Sequence, residues 1–524
     1  PYEIKMALSL SPECLQYILA HLEGDSKTLH SCLLVSRFWC HNAVNILWSR
    51  PWSYSISQNS ATKLIQTYVT CLPDETKIIL FKNGINYQIV STPHTFDYAS
   101  FLRALDYDYM CWSISQWLNS CWFYRVLNYG EEIKSDAEDR TDRYGLISSD
   151  VEDNGEFCDE SEEENERKTG LVARELCKLF MKRCRTFHVL LLESKAIQSD
   201  FPFLPPCTNS RNYLTNLRQL ICLGDLKSEL LIAISRICKD LRRICIGFPP
   251  NVQWKFHYET DARSLATLIE KQNRLQSFCL YGYKRFVSII IDALKHQSNS
   301  LTSLELIDTD FQDEEDYRSL SALSACQNLE SIKILNCFIS PSDQLFSLAS
   351  FSRLEEFEFR NEWNPLYPLP QNEFWEALFQ NTRHSLRKMS FWWLRSDPKD
   401  GYQIIESIAK HCSHIHFLHL PVLWMHEVFL LFNYCTQLKI FSFSGDDFDA
   451  NETLIQMSMI VPATLKSLTI KDGNYGGWTF TEKSLQYFLD NSCASLEVVD
   501  LTECACMTNQ HYEAISRRGI TTCL

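Results

Sequence analysis

The sequence predicts an α/β solenoid of strand-plus-helix repeats, preceded by a small all-α unit. Three observations carry that prediction. A six-residue apolar pattern, L-x-x-L-x-L, recurs through the C-terminal two thirds of the chain. Near the N-terminus, residues 11–48 read as short amphipathic helices with clear starts and stops. Between the two lies a strongly acidic tract too poor in apolar residues to bury a core.

The bulk composition restricts the function classes. The chain has 524 residues, 45% of them hydrophobic and 22% charged, which is ordinary for a folded, non-fibrous protein. No apolar run reaches the length of a membrane span; the nearest, 421–432, is interrupted by His426 and Glu427. No basic segment followed by an apolar one opens the chain, so a membrane or secreted location is not expected, and the cytoplasm and/or nucleus is. The 22 cysteines include no C-x-x-C pair, which argues for reduced, buried thiols and against metal ribbons; no cofactor is expected. The net charge of −15 is concentrated: 131–168 holds sixteen acidic and five basic residues, a net of −11. No basic stripe remains to hold phosphate backbones, so no nucleic-acid partner is expected.

The first element starts at Ser11-Pro12-Glu13, which offers a capping side chain, a preset φ and a negative charge at the positive end of the helix dipole. Leu15, Ile18, Leu19 and Leu22 follow at helical spacing, and Gly24 supplies a stop. Asp25 or Ser26 can cap a second helix bearing Leu29, Cys32, Leu33 and Val35. A third helical piece carries Trp39, Ala43, Val44, Leu47 and Trp48, and Pro51 closes a domain placed at residues 6–52. A unit of ~45 residues buries too little surface to be secure alone. Its apolar surplus, most visible in HSCLLVSRFWCHNAVNILW, must be covered by a partner or by the rest of the chain.

Residues 53–130 are aromatic-rich without a clean period and are read as a helical or mixed linker. Residues 131–170 are expected to form an acidic, disordered insertion. Ser148, Ser149 and Ser161 lie beside carboxylates there, which leaves a phosphorylated regulatory tract as a second reading.

Residues 171–524 form the repeat domain. Twelve units run from Phe187/Leu190/Leu192 to Leu496/Val499/Leu501, their starts separated by 23 to 34 residues. In each, positions one, four and six point inward from a short strand while three and five face out. No unit can bury its own apolar face, but stacked neighbours make a continuous core. Cys184, Cys238, Cys326, Cys412, Cys435 and Cys493 recur three residues before the first apolar position, and Cys337 and Cys504 three residues after the last. A metal site would not repeat in this way; a small buried filler would.

Catalytic patterns fail on inspection. KHCSHIHFLH gathers His411, Cys412, His414, His416 and His419, yet Cys412 occupies the repeated filler position and no third ligand stands at a metal spacing. DGNYGG from Asp472 lacks the Gly-Lys-Ser/Thr ending of a phosphate loop. The chain is expected not to be an enzyme.

With these residues in view, the C-terminal two thirds resembles the cysteine-containing class of leucine-rich repeats. LSPECLQYILAHL followed by TLHSCLLVSRFWC resembles an F-box, with Leu10, Pro12, Leu15, Ile18 and Leu22, then Leu29, Leu33, Val35, Arg37 and Trp39, at the positions of that family's motif. The combination is similar to F-box/leucine-rich-repeat proteins. That resemblance implies an α/β leucine-rich-repeat solenoid, a horseshoe, with a small all-α N-terminal F-box domain. It further implies that Leu10, Pro12, Leu15, Ile18, Leu22, Leu29, Leu33, Val35 and Trp39 bind a Skp-type adaptor. Through the adaptor the chain would reach a cullin and a RING subunit and serve as the substrate receptor of an SCF ubiquitin ligase in ubiquitin-dependent protein catabolism. An interaction scaffold without a role in degradation is the alternative.

For the target, the outward strand positions Arg243, Glu305, Lys333, Glu356, Glu358, Lys388 and His419 are mixed in sign and name no charge class. The segments EWNPLYP, WWLRSD and PVLWMH place Trp363, Tyr367, Trp392, Trp393 and Trp424 at similar offsets in neighbouring repeats. Exposed, these are anchors for a protein partner; wedged between repeats, they are core. The target itself is not legible.

Overall fold

The computed structural model describes residues 11–53, 56–85, 95–120, 159–184, 186–193, 213–224, 228–248, 259–311, 319–338, 351–361, 369–370, 372–393, 401–445, 448–472 and 477–522. It divides into two compact units, Pro1–Leu226 and Lys227–Leu524.

The first unit opens with helices Pro12–Ala20, Ser26–Leu33 and Arg37–Leu47. Each starts where a side chain can satisfy a free backbone donor. Ser11, Asp25 and Ser36 accept from the N–H groups of Cys14, Thr28 and Trp39 at 3.3, 3.0 and 3.2 Å. Leu15, Leu19, Leu29, Cys32 and Ala43 form the core of this small bundle, with Leu22, Leu33, Phe38, Trp39, Ile46 and Leu47 packed around it. Helices Gln58–Thr70, Asp74–Lys82, 107–120 and Asp159–Arg183 follow, with the parallel strands β1 (Ala104–Asp106), β2 (Val189–Glu193) and β3 (Gln219–Leu223).

The segment 53–130, read as a helical or mixed linker, contains helices and a strand, β1, which pairs Ala104 with Val189 and so precedes the first recognised repeat. Its three residues are too short to show a period. The acidic insertion 131–170 is not disordered to its end, because the helix Asp159–Arg183 begins inside it. Glu164 holds Arg167 at 2.8 Å and Lys168 at 3.1 Å along that helix. Downstream, Val172, Leu176 and Phe180 are buried and anchor the helix by its apolar face. Residues 131–158, including Ser148 and Ser149, lie outside the described residues.

In the second unit the strands are β4 (Arg243–Gly247), β5 (Ser277–Tyr281), β6 (Ser303–Ile307), β7 (Ser331–Leu335) and β8 (Glu356–Asn361). They continue with β9 (Lys388–Trp393), β10 (Phe417–Leu423), β11 (Ile440–Gly445), β12 (Phe448–Asp449), β13 (Ser467–Asp472), β14 (Trp478–Thr479) and β15 (Val498–Asp500). Ten of these form one sheet in the order β4-β5-β6-β7-β8-β9-β10-β11-β13-β15, while β12 pairs with β14 alone. From β4 to β15, every pairing between neighbours is parallel. The first, fourth and sixth motif residues are buried in every repeat from Leu241/Ile244/Ile246 to Leu465/Leu468/Ile470. Only in the last repeat does one of them, Leu496, remain half-exposed.

Successive repeats are joined by a recurring bifurcated hydrogen bond. The carbonyl just before one strand accepts from two consecutive N–H groups of the next repeat. Arg242 accepts from Gln276 and Ser277, both at 2.9 Å, and Gln276 from Thr302 and Ser303 at 2.9 and 3.0 Å. The same rung recurs as far as Lys466, which accepts from Glu497 and Val498 at 2.8 and 3.0 Å. In the first unit Ser49 accepts from Arg103 and Ala104 at 2.8 and 3.0 Å, and Arg103 from His188 and Val189 at 2.8 and 3.1 Å.

Cysteine and glutamine side chains bridge repeats where the backbone leaves a gap. Cys493 donates its thiol to Val461 O at 3.0 Å, Cys337 to Leu306 O at 3.3 Å and Cys504 to Ile470 O at 3.3 Å. Burial pushes the Cys238 and Cys435 thiols up to about 12, so they stay protonated donors rather than nucleophiles. Buried Gln297 accepts from Leu275 N–H at 3.1 Å and donates to Ile269 O and Gln272 O at 2.9 and 2.8 Å. Among the described residues, no helix is long and apolar enough to cross a membrane.

Candidate functional site

Helices cover one face of the β4–β15 sheet, and the alternation of each strand turns the third and fifth motif positions to the other, open face. Near the middle of that face sits a joined group from three adjacent strands. Arg360 of β8 lies over the indole of Trp392 on β9, 5.1 Å from the ring centroid. Trp392 in turn stacks on His419 of β10. Glu358 approaches Arg360 at 3.8 Å and Lys333 at 3.7 Å, and Lys388 pairs with Glu356 at 2.7 Å. Charge on this part of the face is thereby largely matched, with an aromatic surface at its centre.

His419 is only 6% exposed, and its Nε2 has no hydrogen-bond partner among the described residues. Burial, with smaller contributions from Lys471 and Arg360, lowers its pKa to about 4. It is therefore neutral at physiological pH, a flat polar ring rather than a cation.

The five aromatic candidates separate in structure. Trp363 and Tyr367 lie outside the described residues. Trp392 is half-buried and faces the open side. Trp393 points the other way, is 5% exposed and meets Phe391 edge to face at 5.8 Å. Gly401 lies against its ring so closely that a β-carbon there would fall 2.4 Å from Trp393 Cζ2. Trp393 is therefore a core residue and is removed from the surface set, because alternation sends neighbouring strand residues to opposite faces. Trp424 is half-buried at the start of helix Met425–Tyr434, where its backbone N–H donates to the Glu427 carboxylate at 2.7 Å.

The candidate adaptor-binding residues divide in the same way. Leu10 lies outside the described residues. Leu15 and Leu29 are fully buried in the three-helix core, and Leu22, Leu33 and Trp39 pack against it, so these five hold the unit together. Pro12 is exposed, as are Ile18 at 47% and Val35 at 60%. Tyr17 at 71% and Leu34 at 78% join them, and helical spacing alone did not single these two out. Four large apolar side chains are thus open to solvent between residues 17 and 35.

The opposite end of the helical unit is covered by its own chain. Trp48 contacts Tyr98 and Tyr68 at centroid distances of 4.3 and 5.4 Å. Trp52 stacks on Tyr68 at 5.6 Å and meets Phe180 at 6.0 Å.

The histidine-cysteine cluster disperses. His411 is paired with Glu376 at 3.1 Å, Cys412 is buried with its thiol pushed well up, and His419 belongs to the open face. No group of three or more His, Cys, Asp or Glu residues suited to a metal occurs among the described residues. Arg360 was missed in the sequence because it stands one place beyond the six-residue motif, on the same alternation as Glu356 and Glu358.

No family model matches the chain, and no curated protein matches it in sequence. Among solved structures it is similar to the leucine-rich repeat-containing protein LegL7 from Legionella pneumophila, with 13% identity and a TM-score of 0.31. The likeness covers 52% of this chain and 89% of that one. The recurring parallel strands, with their first, fourth and sixth motif positions buried, have the form of a leucine-rich-repeat solenoid.

Proposed function

We propose that the chain is a non-catalytic receptor whose repeats hold a target protein on the open face of the sheet while its N-terminal helices dock on a Skp-type adaptor. In this reading it is the substrate-recognition subunit of an SCF-type cullin-RING ubiquitin ligase. It acts by proximity, raising the effective concentration of target lysines near a loaded conjugating enzyme.

The observation that carries the reading is the solvent exposure of Tyr17, Ile18, Leu34 and Val35 around a closed three-helix core. Ile18 and Val35 stand at positions of the F-box motif, and apolar groups laid into a partner groove are the usual means of hiding such a surface. On the array, the Arg360–Trp392–His419 group offers the aromatic and guanidinium chemistry enriched at binding hot spots.

A second reading has its own support. The packing of Trp48 and Trp52 onto the chain's own helices favours an N-terminal cap on a scaffold with no part in degradation.

Co-expression with a Skp-type adaptor and size-exclusion chromatography separates the two. Under the receptor reading the chain co-elutes with the adaptor, Ile18→Asp with Val35→Asp abolishes co-elution, and circular dichroism is unchanged. Leu15→Ala also weakens co-elution, but through loss of about 2–5 kcal/mol of core packing and with a lowered melting temperature. A wild-type chain that elutes alone and folded leaves the scaffold reading in its place.

A further inference from the structure

Outside the aromatic group, the open face carries one feature that the receptor role does not use. Cys245 on β4 and Cys279 on β5 are direct register partners of adjacent parallel strands. Both occupy the middle outward position of their strands, in the row continued by Glu305 on β6. Neighbouring strands run ~4.8 Å apart, within the Cα separation of about 4.4–6.8 Å that a disulfide spans, and register partners on one face carry their β-carbons side by side.

We infer that Cys245 and Cys279 form a reversible dithiol/disulfide site on the open face of the repeat sheet, oxidised by exchange with a low-molecular-weight disulfide.

The two thiols differ in a way that assigns their roles. Cys245 is half-exposed, whereas Cys279 is buried. Cys279 donates its S–H to the Cys245 sulfur, which lowers the Cys245 pKa against the effect of its own burial, and nearby Arg243 acts in the same direction. The same hydrogen bond and burial raise Cys279. Cys245 is therefore the attacking sulfur and Cys279 the resolving one.

In the first step the Cys245 thiolate attacks one sulfur of the small disulfide RSSR, forming a mixed disulfide and releasing RS⁻. In the second, Cys279 loses its proton to solvent and attacks Cys245 Sγ, forming the intrachain disulfide and releasing a second RS⁻. The two protons shed by the protein thiols appear on two RSH, and the small disulfide is reduced as the pair is oxidised.

The repeated filler cysteines are poor competitors. Cys238, Cys412 and Cys435 are buried, with their thiols raised by that burial.

The test uses the full chain, equilibrated with glutathione disulfide at neutral pH, alkylated, digested and mapped by mass spectrometry. The expected product is a Cys245–Cys279 linked peptide that dithiothreitol restores to two free thiols. In Cys279→Ser, glutathione accumulates on Cys245 at least ~10-fold faster than on buried Cys435; in Cys245→Ser neither product forms at this site. A wild-type pair that stays reduced at glutathione disulfide concentrations saturating exposed Cys14 and Cys493 overturns the inference. So does a folded Cys279→Ser chain whose Cys245 reacts no faster than Cys435. The wild-type mapping stands even if a variant fails to fold.

Discussion

The Trp392 indole lies on the His419 imidazole with ring centroids 3.8 Å apart and planes 29° from parallel. With Arg360 over the same indole, side chains from β8, β9 and β10 make one stacked group. The stack explains how a histidine is held nearly dry on the open face of a sheet: an aromatic plane replaces the water that would otherwise solvate the ring.

Acid should weaken this fold through His419. Its folded pKa, about 4, lies below the ordinary histidine value of 6.5, so the unfolded chain binds the proton more readily. Stability is full above pH 6.5 and is lost as pH falls toward 4. At pH 5 the loss is on the order of 2 kcal/mol. Denaturant midpoints of wild type and His419→Gln at pH 7.5 and pH 5 check this, and the variant should lose less between the two.

The two neighbouring tryptophans should respond in opposite ways to truncation. Trp393→Ala empties a core position against Phe391 and Gly401 and should cost about 3–5 kcal/mol. Trp392→Ala removes a surface stack worth roughly 0.5–1.5 kcal/mol. It should leave the melting temperature nearly unchanged while reducing capture of a target protein. Thermal melts together with a pull-down of any identified target measure both effects.

Gln297 ties neighbouring repeats together through three buried hydrogen bonds. Replacing it with Ala leaves Leu275 N–H and the carbonyls of Ile269 and Gln272 without its amide. Each buried group left unpaired costs about 1–3 kcal/mol. Hydrogen exchange should accelerate at Leu275 and along β5 before it does so at β13.

Much of this architecture was legible because the same apolar pattern recurs twelve times at intervals of 23 to 34 residues, so noise in one unit is corrected by its neighbours. The capping residues Ser11 and Asp25 were readable for a local reason, since their acceptor atoms serve N–H groups only three residues away. β1 was not legible, because its three residues become a strand only through pairing with Val189, Leu190 and Leu191, more than eighty positions away. The helix from Asp159 was hidden by composition: its acidic first turns mask the apolar face that begins at Val172. Adjacent Trp392 and Trp393 looked alike as a pair, and the phase of β9 separated them. Leu15 and Val35 both match one motif, yet only the folded bundle tells which is core and which is surface.

The carbonyl of Ser49, two residues after helix Arg37–Leu47, accepts from Arg103 and Ala104 as that of Arg103 accepts from His188 and Val189. The N-terminal helices are therefore not strung on a leash ahead of β1. Within the first unit they form the step before β1 and are held to it by those backbone hydrogen bonds. Whatever grips Tyr17 or Val35 also grips a ruler whose first graduations are Ser49, Arg103 and His188.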